Sequence, residues 1–168
     1  MAQKLTRRAV LMQAVFVAAM GTGCHNAGET PPCAKEDVLE TTVSKVAGAK
    51  DQRQATFNGE AHGRWNGNCN CVVNSGMTVT FWDTGRGEWE CDVETYDTNP
   101  SGDSTVTISL SVYDSAGTPL FTTAGYASPE MDMPHAPYKW TQDFYFPKDK
   151  LGRIAKCTRR VTCTRGSS

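Results

Sequence analysis

Three carboxylates stand at alternate positions in one acidic stretch of this 168-residue chain: Glu90, Asp92 and Glu94. In a β-strand, side chains at alternate positions point to the same face, so these three share a face. Two carboxylates beside one glycosidic bond can act as nucleophile and general acid, because crowding of like charges raises the pKa of one of them. The same spacing also fits a solvated strand face whose charges block edge aggregation. Carboxylate oxygens are, in addition, ligands for Ca²⁺.

The stretch Glu90-Cys-Asp92-Val-Glu94 resembles the E-x-D-x-E core of the jelly-roll retaining glycosidases. The resemblance implies Glu90 as the nucleophile and Glu94 as the general acid/base. Those enzymes build their sugar cleft from a longer chain, and Glu88 extends the acidic face of this one by a further position. We therefore expect a charged surface here, and a small carbohydrate-active hydrolase is the alternative function.

A second group of chemically capable side chains is Met131, Met133 and His135, in a stretch that also holds three prolines. Thioether sulfur and imidazole are soft ligands that suit Cu(I). Methionine also fills irregular gaps in protein cores. We expect the core role and no cofactor, and a copper site is the alternative.

Two aromatic residues, Trp82 and Tyr113, fall on the polar faces of the strands that contain them. An amphipathic ring in such a position can stack on a sugar or on a partner protein. These residues are the predicted binding face.

The first 23 residues have the pattern of an export signal. A basic start with Lys4, Arg7 and Arg8 precedes an apolar run over 9–20, which is too short to span a bilayer. Residues 21–24 read GTGC, which resembles the lipobox of bacterial lipoproteins, and the resemblance implies that Cys24 is acylated and becomes the N-terminus. Residues 6–11, TRRAVL, are also similar to a twin-arginine signal.

The cysteine count agrees with this interpretation. The chain has seven cysteines, and lipidation of Cys24 leaves an even six. In an exported domain of this size, six cysteines indicate disulfides, although 15 pairings are open. The six are Cys33, Cys69, Cys71, Cys91, Cys157 and Cys163.

Strict alternation of apolar and polar residues predicts strands over much of the remaining chain. It is clearest in 86–96 and 104–114 and is also present in 77–82 and 138–146. One apolar face per strand is typical of antiparallel sheets. Short turns such as NSG (74–76) and DTG (83–85) end in glycine and indicate hairpins. About eight strands at this spacing predict an all-β sandwich or barrel.

The spacing of Val38, Leu39, Val43 and Val46 on one helical side, with Gly48 after them, predicts a short N-terminal helix over 36–47. The sequence VLETTVSKV (38–46) also suits a strand, which is the alternative. The predicted organisation is therefore an export signal (1–23), a lipid-anchored tether with this helix (24–52) and a disulfide-linked β domain (53–168).

The motifs GNC (67–69), SVYDSAGTPL (111–120) and YKW (138–140), with a cysteine-bearing tail, resemble a family of uncharacterised β-rich domains in secreted bacterial proteins. The resemblance covers roughly residues 53–165 and implies no activity. Without residues 1–23, 14 basic residues (17 − 3) oppose 18 acidic ones, a balance that does not favour nucleic acid. We expect a binding or interaction module anchored by lipid in the bacterial envelope, with an envelope protein or a carbohydrate as its partner, rather than an enzyme.

Overall fold

The computed structural model describes residues 38–49, 51–65, 68–96 and 104–165. The predicted export signal, the lipidation site Cys24 and Cys33 lie outside these residues, and the side chain of Cys69 is not described either.

The described residues form twelve strands and one 3-10 helix. The strands are β1 (Val38–Thr42), β2 (Ser44–Lys45), β3 (Gln52–Phe57), β4 (Ala61–Trp65), β5 (Asn68–Val73), β6 (Met77–Trp82), β7 (Arg86–Thr95), β8 (Ser104–Tyr113), β9 (Pro119–Thr122), β10 (Tyr126–Ala127), β11 (Tyr138–Tyr145) and β12 (Lys156–Arg165). The 3-10 helix spans Lys148–Arg153, between β11 and β12.

Two antiparallel sheets pack face to face as a sandwich rather than a closed barrel. The five-stranded sheet has the order β1-β12-β8-β10, with β9 also paired to β8. The seven-stranded sheet has the order β2-β3-β6-β7-β5-β4, with β11 paired to the other side of β7. The all-β antiparallel prediction is confirmed, with twelve strands where about eight were predicted, because several of the short strands lack an alternating run.

The alternating residues lie as predicted, with their apolar side chains between the sheets. Along β8 the residues at even positions are buried, including Ile108 and Leu110, and along β7 the core side chains include Trp89 and Val93. Trp140 of β11 packs edge-on against Trp89, with ring centroids 5.7 Å apart. The period of two therefore determines which face of each sheet is available to a partner.

The DTG turn joins β6 to β7 and depends on Gly85. Its φ is +85°, and a Cβ there would lie 2.8 Å from the carbonyl oxygen of Phe146. Only glycine takes this conformation without strain. The tight turn sets β6 and β7 side by side, so that Trp82 lies beside Arg86.

The predicted helix over 36–47 is wrong, because the described part of this segment, from residue 38 onward, forms β1 and β2. β1 pairs antiparallel with β12, and β2 pairs with β3. Val43 lies between the two short strands and is buried, and its N–H donates to the carbonyl of Ala155 at 2.8 Å. β-Branched residues fit strands, and sheet pairing here overrides the helical spacing. The paired part of the chain thus extends back into the predicted tether.

A disulfide between Cys71 and Cys163 joins β5 of the seven-stranded sheet to β12 of the five-stranded sheet. Cys91 and Cys157 are instead buried free thiols, which corrects the prediction that both form disulfides. Opposite Cys91 in the sheet stands Trp140, and opposite Cys157 stand Val112 and Thr41, so neither has a cysteine beside it in the sheet. Burial raises the pKa of each thiol to about 12.

Candidate binding face of the seven-stranded sheet

The outer face is defined here as the surface of β6, β7 and β11 that points away from the core. β6 contributes threonines and one tryptophan, β7 contributes charged residues, and β11 contributes charged, polar and aromatic residues. Its members are Thr78, Thr80, Trp82, Arg86, Glu88, Glu90, Asp92, Glu94, Lys139, Thr141, Asp143 and Tyr145.

One row across the outer face consists of Trp82, Arg86 and Tyr145. The Arg86 guanidinium lies over the Trp82 ring at 4.7 Å from its centroid, and Tyr145 stands opposite Arg86 in the β7–β11 register. Trp82 is half-buried, whereas Tyr145 is 79% exposed. Since adjacent strands are about 4.8 Å apart, the row extends over about 10 Å.

Two carboxylates hold Arg86 in this position. Its Nη2 donates to Asp143 Oδ1 at 2.7 Å and to Glu88 Oε2 at 2.6 Å, and its Nε donates to Asp143 Oδ1 at 3.1 Å. The hydrogen bond with Asp143 raises the pKa of Arg86, and the same bond lowers the pKa of Asp143. The guanidinium is therefore fixed as a flat cationic surface between two aromatic side chains.

The carboxylates of Glu90 and Glu94 bind different neighbours. Glu90 Oε1 lies 3.0 Å from Lys139 Nζ on β11, whereas Glu94 Oε1 accepts a 2.6 Å hydrogen bond from Asn74 Nδ2 on the opposite side of β7. The hydrogen bond to Glu90 raises the pKa of Lys139. Four residues of strand put the two Cα atoms about 13 Å apart. The structure therefore places both residues, and Asp92 between them, on one face but does not bring Glu90 and Glu94 together.

Three cavities of the described part of the chain lie away from the outer face. Two are at the junction of β1 with β3, one of which extends along β2, and a third lies beside the 3-10 helix. None of these three is lined by a residue of β7.

The three residues of the copper hypothesis have different surroundings. Met131 is 1% exposed and belongs to the hydrophobic core, whereas Met133 is 58% exposed. His135 is also exposed, and its ring lies against Tyr96. No group of three or more His, Cys, Asp or Glu side chains suited to a metal ion occurs among the described residues.

Trp82 and Tyr113 do not form one binding face, which corrects that prediction. Trp82 lies on the outer face of the seven-stranded sheet, whereas Tyr113 ends β8 in the five-stranded sheet. Both side chains point away from the core, so they lie on opposite sides of the sandwich. Polar-face register alone did not show which sheet each strand joins.

Two arrangements have no signal in the sequence. Arg86 and Asp143 are 57 residues apart and meet only because β7 pairs with β11. Tyr96 lies between His62 and His135, with ring centroids 6.5 and 5.2 Å away, because a bridge between Thr95 and Pro134 brings the loop to the end of β7. Sequence spacing could reveal neither contact.

Among the residues described, no helix is long and apolar enough to cross a membrane.

Neither a curated protein nor a solved structure matches this chain. The model of a family of unknown function, DUF6294, matches residues 78–163, which is just over half of the 168 residues. The matched segment runs from β6 to β12 and includes every residue of the outer face. The chain belongs to the family of unknown function DUF6294.

Proposed function

We propose that this protein is an extracytoplasmic interaction module of the bacterial envelope, anchored by lipid at Cys24, which binds a partner protein through the outer face. The Cys71–Cys163 disulfide supports an oxidising compartment, since disulfides persist outside the cytoplasm. The signal-like residues 1–23 and the lipobox-like GTGC support export and anchoring.

The observation that carries the binding role is the row of Trp82, Arg86 and Tyr145. Tryptophan, tyrosine and arginine are the residues that contribute most binding energy at protein interfaces. Tyr145 is 79% exposed on a regular strand, where its ring packs little against its own fold. Arg86 is already ordered by Asp143 and Glu88, so a partner would not have to bear the entropy cost of fixing it.

The charge of the outer face indicates the kind of partner. Along β7 and β11, the carboxylates of Glu88, Glu90, Asp92, Glu94 and Asp143 outnumber the basic groups of Arg86 and Lys139. Such a surface attracts a partner with basic groups and repels nucleic acid. A carbohydrate is the alternative ligand, because exposed aromatic rings beside hydrogen-bonding side chains also suit sugars.

The hydrolase alternative stays a prediction with a simple test. Purified wild-type protein would cleave a β-glucan or a galactan, and Glu90→Gln would abolish cleavage without changing the melting temperature. The hydrogen-bonded positions of Glu90 and Glu94 give binding the stronger support.

A photo-cross-linking amino acid at position 145, in the full chain in its native host, tests the binding role. The matched control carries the same amino acid at Tyr113, on the other side of the sandwich. We expect a discrete adduct with a different protein, separate in mass from a self-adduct of two copies, from position 145 and none from position 113. A glycan adduct from position 145 would favour the carbohydrate alternative, and equal labelling from both positions would contradict a specific face.

The anchor has its own test. Intact-mass analysis of the membrane fraction would show an acylated N-terminal Cys24, and Cys24→Ala would release the protein into the soluble fraction. An unlipidated mature protein beginning at another residue would contradict the anchor while leaving the binding face untouched.

A further inference from the structure

β11 is the longest strand of the described chain that has a partner on one side only. It has eight residues, whereas the other strands with a single partner, β1, β2, β4, β9 and β10, have five or fewer. A long edge strand presents unpaired N–H and C=O groups to which another strand can bind. The open edge of β11 is therefore a pairing surface.

Hydrogen-bond alternation identifies the groups that point outward. The N–H of Phe146 donates to the carbonyl of Gly85 at 2.8 Å, one pair beyond the Tyr145–Arg86 pair. In an antiparallel ladder every second residue pair is hydrogen-bonded. Since Phe146 and Gly85 form such a pair, the even-numbered residues of β11 bond to β7. The outward backbone groups are those of Lys139, Thr141, Asp143 and Tyr145.

The open edge of β11 is partly capped by the chain itself. Gln142 Nε2 donates to the outward carbonyl of Asp143 at 2.7 Å. A partner strand would replace this side-chain bond with a backbone bond. No strand of the described residues pairs with this edge.

The side chains along the edge are complementary to a second copy of themselves. Lys139, Thr141 and Asp143 are all exposed and share the outer face. If two copies pair antiparallel about Thr141, each Lys139 faces Asp143 of the other copy, and the two Thr141 residues face each other. Opposite charges and paired threonines are favourable cross-strand pairs.

We propose that this protein forms a two-fold symmetric dimer in which the open edge of β11 pairs antiparallel with the same edge of a second copy. The two seven-stranded sheets become one continuous sheet, and the two outer faces lie on the same side of it. The arrangement is isologous, so it closes after two copies and does not propagate. It does not depend on the identity of the partner protein.

Charge reversal tests the pairing in the purified mature chain, with sedimentation velocity over a concentration series. The wild type should show a concentration-dependent monomer–dimer equilibrium. Lys139→Glu and Asp143→Lys should each raise the dimer dissociation constant about tenfold or more, because each variant places two pairs of like charges in contact. An equimolar mixture of the two variants should recover the dimer, since every cross-strand pair is then opposite in charge.

Matched controls are Lys148→Glu and Asp149→Lys, which reverse exposed charges outside the edge and should leave the dimer unchanged. Thr141→Pro removes an outward N–H and should give a monomer with unchanged circular dichroism. If the wild type is monomeric throughout, or the mixed variants do not associate, the proposal is wrong. A dimer that survives Thr141→Pro would also overturn it.

A cysteine at position 141 gives an independent check. Directly opposed residues in a bonded pair lie about 5.5 Å apart at Cα, within the range of a disulfide. Thr141→Cys should therefore yield a covalent dimer with a 141–141 linked peptide on mild oxidation. Thr80→Cys, on the outer face but away from the edge, should not; equal cross-linking of both would contradict the register.

Discussion

Replacing both Cys71 and Cys163 with alanine should remove the covalent link between the two sheets. The residues are 92 positions apart, and the chain-entropy model gives about 4.6 kcal/mol for closing a loop of that length. Measured contributions of disulfides are typically about 2–4 kcal/mol. We therefore expect a loss of roughly 3–4 kcal/mol, a large part of the stability of a small domain, and a melting temperature lower by roughly 10 °C.

The assay is urea unfolding under non-reducing conditions, with Cys91→Ala/Cys157→Ala as the matched control. The control also removes two buried sulfur atoms but no cross-link, so it should cost only roughly 1 kcal/mol per site. Loss of the cross-link lets the unfolded chain expand, so the m-value should rise in Cys71→Ala/Cys163→Ala and stay constant in the control. Equal loss of stability and equal m-values in the two double variants would refute the Cys71–Cys163 cross-link.

Gly63 extends this test because it packs against the disulfide. A Cβ there would lie 2.7 Å from Cys163 Sγ and 2.8 Å from Cys71 Sγ. Gly63→Ala should lower the free energy of unfolding of the wild type. The same substitution should lower it by less when Cys71 and Cys163 are both alanine. A backbone contact at 2.9 Å to the nitrogen of Cys163 keeps part of the penalty in both backgrounds.

The other predictions concern the core, the free thiols and one ion pair. Ile108→Asp should prevent folding because it buries an unpaired charge, whereas Thr107→Asp should lower the melting temperature by only a few degrees; equal damage would contradict a one-sided sheet. Cys91 and Cys157 should resist alkylation in the native protein at pH 8 and react after unfolding, because burial raises the pKa of each to about 12; rapid native labelling would refute their burial. Hydrogen bonding to Arg153 lowers the pKa of Asp114. The stability that ionised Asp114 contributes is therefore present above about pH 4, the usual aspartate range, and is lost as the pH falls further. In thermal melts over that range Asp114→Asn should lose less stability than the wild type, and parallel profiles would contradict this role of Asp114.

The faces of the long strands could be predicted from the sequence because burial leaves a direct periodic trace. Along β8, alternate residues are valine, isoleucine or leucine, and these line the core as their spacing requires. β1 was predicted as a helix because its spacing fits both structures, and only pairing with β12 decides between them. Such pairing is a long-range property that a local pattern does not contain.

The candidate site was predictable only in part. Trp82 could be placed on a polar face, but its contact with Arg86 depends on the β6–β7 turn, and the row is completed by Tyr145 from a distant strand.

The burial of Arg159 could not be predicted from the sequence, because this charged residue belongs to a strand whose sequence looks polar. Its guanidinium lies 4.9 Å from the centre of the Phe57 ring, and its Nη2 donates to the carbonyl of Gly59 at 2.8 Å. Both contacts join residues about 100 positions apart, beyond the reach of sequence periodicity.

The most direct test of the binding face measures how much Tyr145 contributes to the capture of the partner. A photo-cross-linker at position 80, in the middle of the outer face, would report the bound partner in the native host, with self-adducts of twice the chain mass counted separately. Tyr145→Ala should reduce the partner adduct about tenfold or more, equivalent to at least about 1.4 kcal/mol, whereas Tyr113→Ala should leave it unchanged. An adduct that is unaffected by Tyr145→Ala, or reduced equally by Tyr113→Ala, would contradict binding through the outer face.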